Sequence, residues 1–128
     1  MKRILLFLLA LAPLFAMAKD NKDVPVAKIS EKVWDFGTVK ENGGPVSHEF
    51  TVTNTGKAPL VIISATAACG CTKPSFSAEP IRPGKSGKIK VTYLPKGRPG
   101  EFAKNVKIRT NAPSAKKITV KITGTVVP

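Results

Sequence analysis

Few residues in this 128-residue chain can do chemistry, and two of them stand together. Cys69 and Cys71 flank Gly70 and are the chain's only cysteines. Three kinds of chemistry suit two thiols at that spacing. One is a disulfide. In an extended strand, residues two apart have Cα atoms about 6.5 Å from each other, near the upper limit for a bridge. A bridge therefore requires the chain to fold tightly at Gly70, which glycine permits. Closing so short a loop removes little unfolded-state entropy, so the bond is a local lock or a reducible bond. The second is a soft-metal site. Two thiolates chelate copper(I) or zinc, but they do not complete a closed zinc site. The third is thiol–disulfide exchange, with Lys73 as the cation that lowers a thiol pKa. The spacing, however, is not that of thioredoxin-like proteins. The expectation is no cofactor, with copper or zinc on Cys69 and Cys71 as the alternative.

His48 is the only histidine. It falls near the start of an apolar stripe, a position that suits a hydrogen-bonded residue at the rim of a core more often than a base or ligand. One histidine and eight acids form no triad or paired-carboxylate pattern, so no catalytic residues are expected. Gly84-Lys85-Ser86 resembles the end of a phosphate loop, but Glu79 stands where that loop needs glycine, and a strand follows. Asp35-Phe36-Gly37 spells a kinase motif in a chain without that fold's other motifs. Cations are the remaining candidates. Lys88, Lys90, Lys107, Arg109, Lys117 and Lys121 all fall on outward positions of alternating strands and form the candidate surface for an anionic partner.

The first residues bear on which anions this surface meets. Met1-Lys2-Arg3 is a basic start, Ile4 to Phe15 is an apolar run interrupted by Pro13, and Ala16-Met17-Ala18 is a small-x-small cleavage site. Residues 1–18 read as a cleaved secretory signal, too short to span a bilayer as a helix. Removing Lys2 and Arg3 lowers the formal net charge from +13 to +11. In the cytoplasm such charge suggests nucleic acid. Export to the periplasm or cell envelope argues against nucleic acid and points to an envelope protein or an anionic envelope component. The plainer reading is a lysine-rich surface that keeps a β-protein soluble and its edges unpaired. No second apolar run provides a transmembrane segment in the mature chain.

Residues 19–25 form a charged leader, and 26–128 one domain of alternating strands. The first strand is expected over Val24 to Phe36, with Trp34 and Phe36 in the core. The second is Val46 to Asn54. Leu60 to Ala67, the most continuously apolar mature segment, reads as a central strand covered on both faces. Lys73 to Ser77 is a short or edge strand. Gly87 to Leu94 points Ile89, Val91 and Tyr93 inward, and Phe102 to Arg109 contributes Phe102, Val106 and Ile108. Lys116 to Val127 alternates Ile118, Val120 and Ile122 with polar residues. Seven strands at this spacing predict an all-β, immunoglobulin-like Greek-key sandwich. Because both cysteines sit together, no bridge joins the two sheets, and the sandwich stands on its apolar core.

Several of these pieces also resemble one exported bacterial family, domain of unknown function 1573. They are Trp34-Asp35-Phe36-Gly37, Phe50 to Gly56, Cys69-Gly70-Cys71-Thr72, Ile81 to Lys85 and Arg109-Thr110-Asn111. The resemblance covers nearly the whole mature chain. It implies an immunoglobulin-like module of the Hydin and major-sperm-protein type, which binds or scaffolds. It carries over no catalytic residue and marks Cys69 and Cys71 as the matching positions with chemistry. The expected function is a non-enzymatic envelope binding or structural module. The alternative is a small redox or copper/zinc-handling protein working through the cysteine pair.

Overall fold

A computed structural model describes residues 23–128. The signal-peptide reading over 1–18, and residues 19–22 of the leader, lie outside the described residues. Among the described residues eight strands form two four-stranded sheets: β1 (Ala27–Ile29), β2 (Val33–Lys40), β3 (Val46–Asn54), β4 (Ile62–Ala67), β5 (Thr72–Phe76), β6 (Ser86–Tyr93), β7 (Gly100–Thr110) and β8 (Lys117–Val127). One sheet runs β1-β3-β6-β5 and the other β2-β8-β7-β4. We call these the first and second sheets.

Alternation builds the interior. Phe50 and Val52 of β3, Ile89 and Val91 of β6, Val106 and Ile108 of β7, and Val120 and Ile122 of β8 are fully buried between the sheets. Their sequence neighbours are polar and face outward, as period-two patterning requires of a two-layer sandwich. Tyr93 stacks on Phe102 with ring centroids 3.8 Å apart. That contact needs Gly124, because a Cβ there would sit 2.6 Å from the Phe102 ring.

Three expectations require correction. The segment expected as one strand from Val24 to Phe36 is two, which raises the count from seven to eight. Ser30 still belongs to the first sheet: its N–H donates to the Thr51 carbonyl (2.9 Å), and its Oγ accepts from the Thr51 N–H (3.1 Å). Two residues later the Lys32 carbonyl accepts from the Lys121 N–H of the second sheet (2.8 Å). The polar run Ser30-Glu31-Lys32 gives neither sheet an apolar side chain to hold, and there the chain changes sheets. β1 then pairs antiparallel with β3, and β2 parallel with β8.

Trp34 and Phe36 are not core residues. Trp34 is 40% exposed at the open edge of β2, and Phe36 is partly buried against the core. Nor is the Leu60–Ala67 run a central strand. β4 is the outer strand beside β7, and its register slips between Ile62 and Ser64. That bulge breaks the alternation: Ile62 is buried while Ile63 is 58% exposed. Leu60 lies outside the strand, in a two-way backbone bridge to Ile81. A run of apolar residues therefore marks a bulged edge here.

Asn54 holds the end of β3 together. It is fully buried, and its side-chain carbonyl accepts from the N–H groups of Val26 (3.3 Å) and Gly56 (2.9 Å). Its side-chain amide donates to the carbonyls of Ala58 and Ile81, both at 2.8 Å. Every hydrogen-bonding site of the buried amide is filled, as burial demands. Gly56 must be glycine there, since a Cβ would collide with the Val24 carbonyl oxygen.

Candidate functional site

The cysteine loop joins β4 to β5, crossing between outer strands of the two sheets. Cys69 and Cys71 form a disulfide with Cα atoms 5.1 Å apart, closer than an extended strand allows. The tight turn at Gly70 that a bridge requires brings them together, closed by the Thr72 N–H donating to the Cys69 carbonyl (3.1 Å). The Cys71 N–H points at Cys69 Sγ (3.1 Å). The Cys71 carbonyl accepts from the Leu94 N–H (2.8 Å), which fastens the loop to the end of β6. Cys71 is fully buried in the core. Cys69 is partly buried, beside a shallow open depression of about 390 Å³. While bridged, the sulfurs carry no thiolate to give a metal. Among the described residues no three metal-ligating side chains cluster.

The six cations do not form one surface. Lys88 and Lys90 lie on β6 in the first sheet, and Lys107, Arg109, Lys117 and Lys121 lie on β7 and β8 in the second. All six are exposed. On the first sheet Glu49 sits opposite Lys90 and within 3.7 Å of the Lys88 ammonium. An exposed pair of this kind contributes little to stability, but it offsets charge locally.

The second sheet is arranged differently. Arg109 lies directly opposite Lys117 across β7 and β8. Lys107 faces Thr119 on one side and Thr66 on the other, while Lys121 faces Asn105 and Val33. The acids of this face, Asp35 and Glu101, pair with Thr123 and Thr125 further along β8. Asp35 is thereby the diagonal neighbour of Lys121, whereas Arg109, Lys117 and Lys107 have no acid opposite or diagonal to them. Like charges directly opposite, with Cβ atoms about 5 Å apart, repel and weaken a sheet.

His48 lies at the rim of the core, on β3. Its Nε2 is 2.6 Å from Glu31 Oε2. Its ring stacks on Trp34 (3.9 Å, interplanar angle 6°) and meets Phe50 edge-on (4.8 Å). The hydrogen bond from His48, and next that from Ser30, hold the Glu31 carboxyl below its ordinary value of 4.5. Sequence reasoning missed Glu31 and misplaced Trp34. No local pattern links residues that meet only because the chain changes sheets between them.

The model of the family described as protein of unknown function (DUF1573) matches residues 27–126. The chain belongs to that family. A search of the curated proteins finds no match. Among solved structures, the DUF1573 chain is similar to a protein of unknown function from Porphyromonas gingivalis W83, with TM-score 0.71 and 20% identity over 84% of this chain. It spans 50% of the length of that protein. It is also similar to the ASH/PapD-like domain 7 of human CEP192, with TM-score 0.62 and 14% identity, covering 92% of this chain and 96% of that one. The periplasmic chaperone SfaE gives TM-score 0.53 and 12% identity, over 80% of this chain and 57% of that one. At these identities the likeness is one of fold: the DUF1573 chain is an all-β sandwich of immunoglobulin-like and PapD-like form.

Proposed function

We propose that this DUF1573 domain is an exported, non-enzymatic binding module of the bacterial cell envelope whose second sheet takes an acidic partner. One observation carries the reading. Arg109 opposes Lys117 with Lys107 beside them, no acid lies opposite or diagonal to these three, and Lys121 extends the row towards Asp35. A fold under selection for stability alone has no use for facing like charges, whereas a partner supplying negative charge relieves them. Export rests on the basic, apolar and small-x-small order of Met1 to Ala18.

The test is capture of acidic envelope material by the purified mature domain, at 50 mM and 500 mM salt, with Arg109→Gln/Lys117→Gln alongside. The reading requires capture that weakens with salt and with the double substitution. Capture indifferent to both would refute it.

A second reading is favoured by the partial burial of Cys69 at the edge of an open depression. Copper handling requires a pair that is reduced in the cell, because a bridged pair offers no thiolate, whereas exchange also proceeds by attack of an incoming thiolate on the bridge. Alkylation of protein from its native compartment, with and without prior reduction, decides the first. Two thiols labelled without reductant support metal handling, labelling only after reduction removes it, and a bridge that excess glutathione fails to open removes exchange.

A further inference from the structure

The identity of the acidic partner is written in the apolar residues around the cations. Among the described residues, the large apolar side chains with substantial exposure are Val33 (55%), Trp34 (40%) and Ile63 (58%). All three lie on the two outer strands of the second sheet, β2 and β4. Ile63 sits at the β4 bulge, next to Ser64, which pairs with Arg109. Val33 pairs with Lys121 and so shares its outward face. Three strand spacings separate β4 from β2, about 14 Å, and four residue steps separate the levels of Arg109 and Asn105, about 13 Å. Ile63 and Val33 thus mark opposite corners of a patch whose interior is Arg109, Lys117, Lys107 and Lys121, with Thr66 and Thr119 between them. Trp34 points to the other side of β2, in register with buried Ile122, and is not part of this patch.

A soluble acidic chain rewards the cations and gains nothing from exposed isoleucine and valine. A bilayer surface rewards both: anionic headgroups attract the cations, and the acyl boundary takes the apolar side chains. We infer that this face docks on an anionic lipid surface, with Ile63 and Val33 entering the headgroup region on either side of the basic patch. The inference rests on the proposed reading of the second sheet and specifies its partner.

The experiment is co-sedimentation of the mature domain with vesicles of phosphatidylcholine containing 30 mol% phosphatidylglycerol, against pure phosphatidylcholine. A parallel arm measures binding to soluble poly-L-glutamate. Each basic residue near an anionic bilayer contributes about 1 kcal/mol, roughly fivefold in partitioning. Arg109→Gln/Lys117→Gln should therefore weaken vesicle binding about 25-fold, and Ile63→Ser roughly three- to tenfold by lost apolar insertion. Lys88→Gln, on the opposite face, should change it less than about twofold by the same charge argument. Thermal melts confirm that each variant is folded. Binding to poly-L-glutamate as tight as to the vesicles, with Ile63→Ser without effect, overturns the lipid assignment and leaves an acidic macromolecule as the partner. Binding to neither overturns both this inference and the reading beneath it. Equal loss from Lys88→Gln and Arg109→Gln/Lys117→Gln overturns the choice of face.

Discussion

Replacing Lys117 by glutamate should stabilise this protein while damaging its binding. Arg109 and Lys117 face each other on the exposed side of β7 and β8. The substitution removes a like-charge contact and creates an opposite-charge one, and each change is worth about 0.2–1 kcal/mol at this spacing. Both side chains are solvated, so the lower half of the range applies to each, for a total of about 0.5–1 kcal/mol. For the 106 residues from Asp23 to Pro128, an unfolding entropy of about 2.1 cal/mol/K per residue converts this to a rise in Tm of roughly 2–5 °C. The assay is thermal denaturation followed by circular dichroism, at 20 mM and 500 mM salt. The rise should shrink by more than half at high salt, because the Debye length falls below about 5 Å. Lys117→Gln should give about half the effect. Partitioning onto vesicles containing phosphatidylglycerol should fall at the same time. A drop in Tm, or a rise that salt leaves untouched, would refute the claim that facing cations strain this sheet.

Asn54→Ala deletes four hydrogen bonds at a fully buried site and should cost about 3–4 kcal/mol in urea denaturation; a loss under about 1 kcal/mol contradicts the bonding described. The lowered pKa of Glu31 stabilises the folded state above pH 4.5, and this contribution disappears as pH falls through the lowered value. Acid titration of stability should show that loss in the native protein and lack it in Glu31→Gln. Reducing the Cys69–Cys71 bridge opens a loop of three residues and should cost about 1.6 kcal/mol by loop entropy. A loss above about 3 kcal/mol in the reduced protein would give the bridge a larger structural role than loop entropy provides.

β3, β6, β7 and β8 were legible because each alternates without interruption, so period two identified both the strand and its buried face. β3 ends at Asn54, where the sequence placed it. The errors fell where alternation is broken or where strand order decides the outcome. Strand order puts the continuous apolar run at an edge, and a bulge at Ile63 breaks its alternation; the spacing of residues carries no mark of either. The switch at Ser30–Lys32 is a choice between two hydrogen-bonding partners more than twenty residues away. The cations were recognisable as outward-facing, but their division between two opposite faces depends on which sheet each strand joins. The tight turn between the cysteines is legible only as what a bridge at that spacing would require, with Gly70 permitting it. The Glu31–His48–Trp34 cluster was not, since it assembles residues from two strands that belong to different sheets.

The parallel pairing of β2 with β8 has a mechanical consequence. Six residue pairs connect them, from Val33 opposite Lys121 to Lys40 opposite Val127. Tension applied between Val33 and Val127 pulls the two strands past each other along their length. Their cross-links are then loaded together and must fail nearly at once, whereas a hairpin pulled from its open end unzips one rung at a time. Force entering from the amino-terminal side first meets the three-pair β1–β3 contact, and once that yields, β2 and β8 resist it in shear.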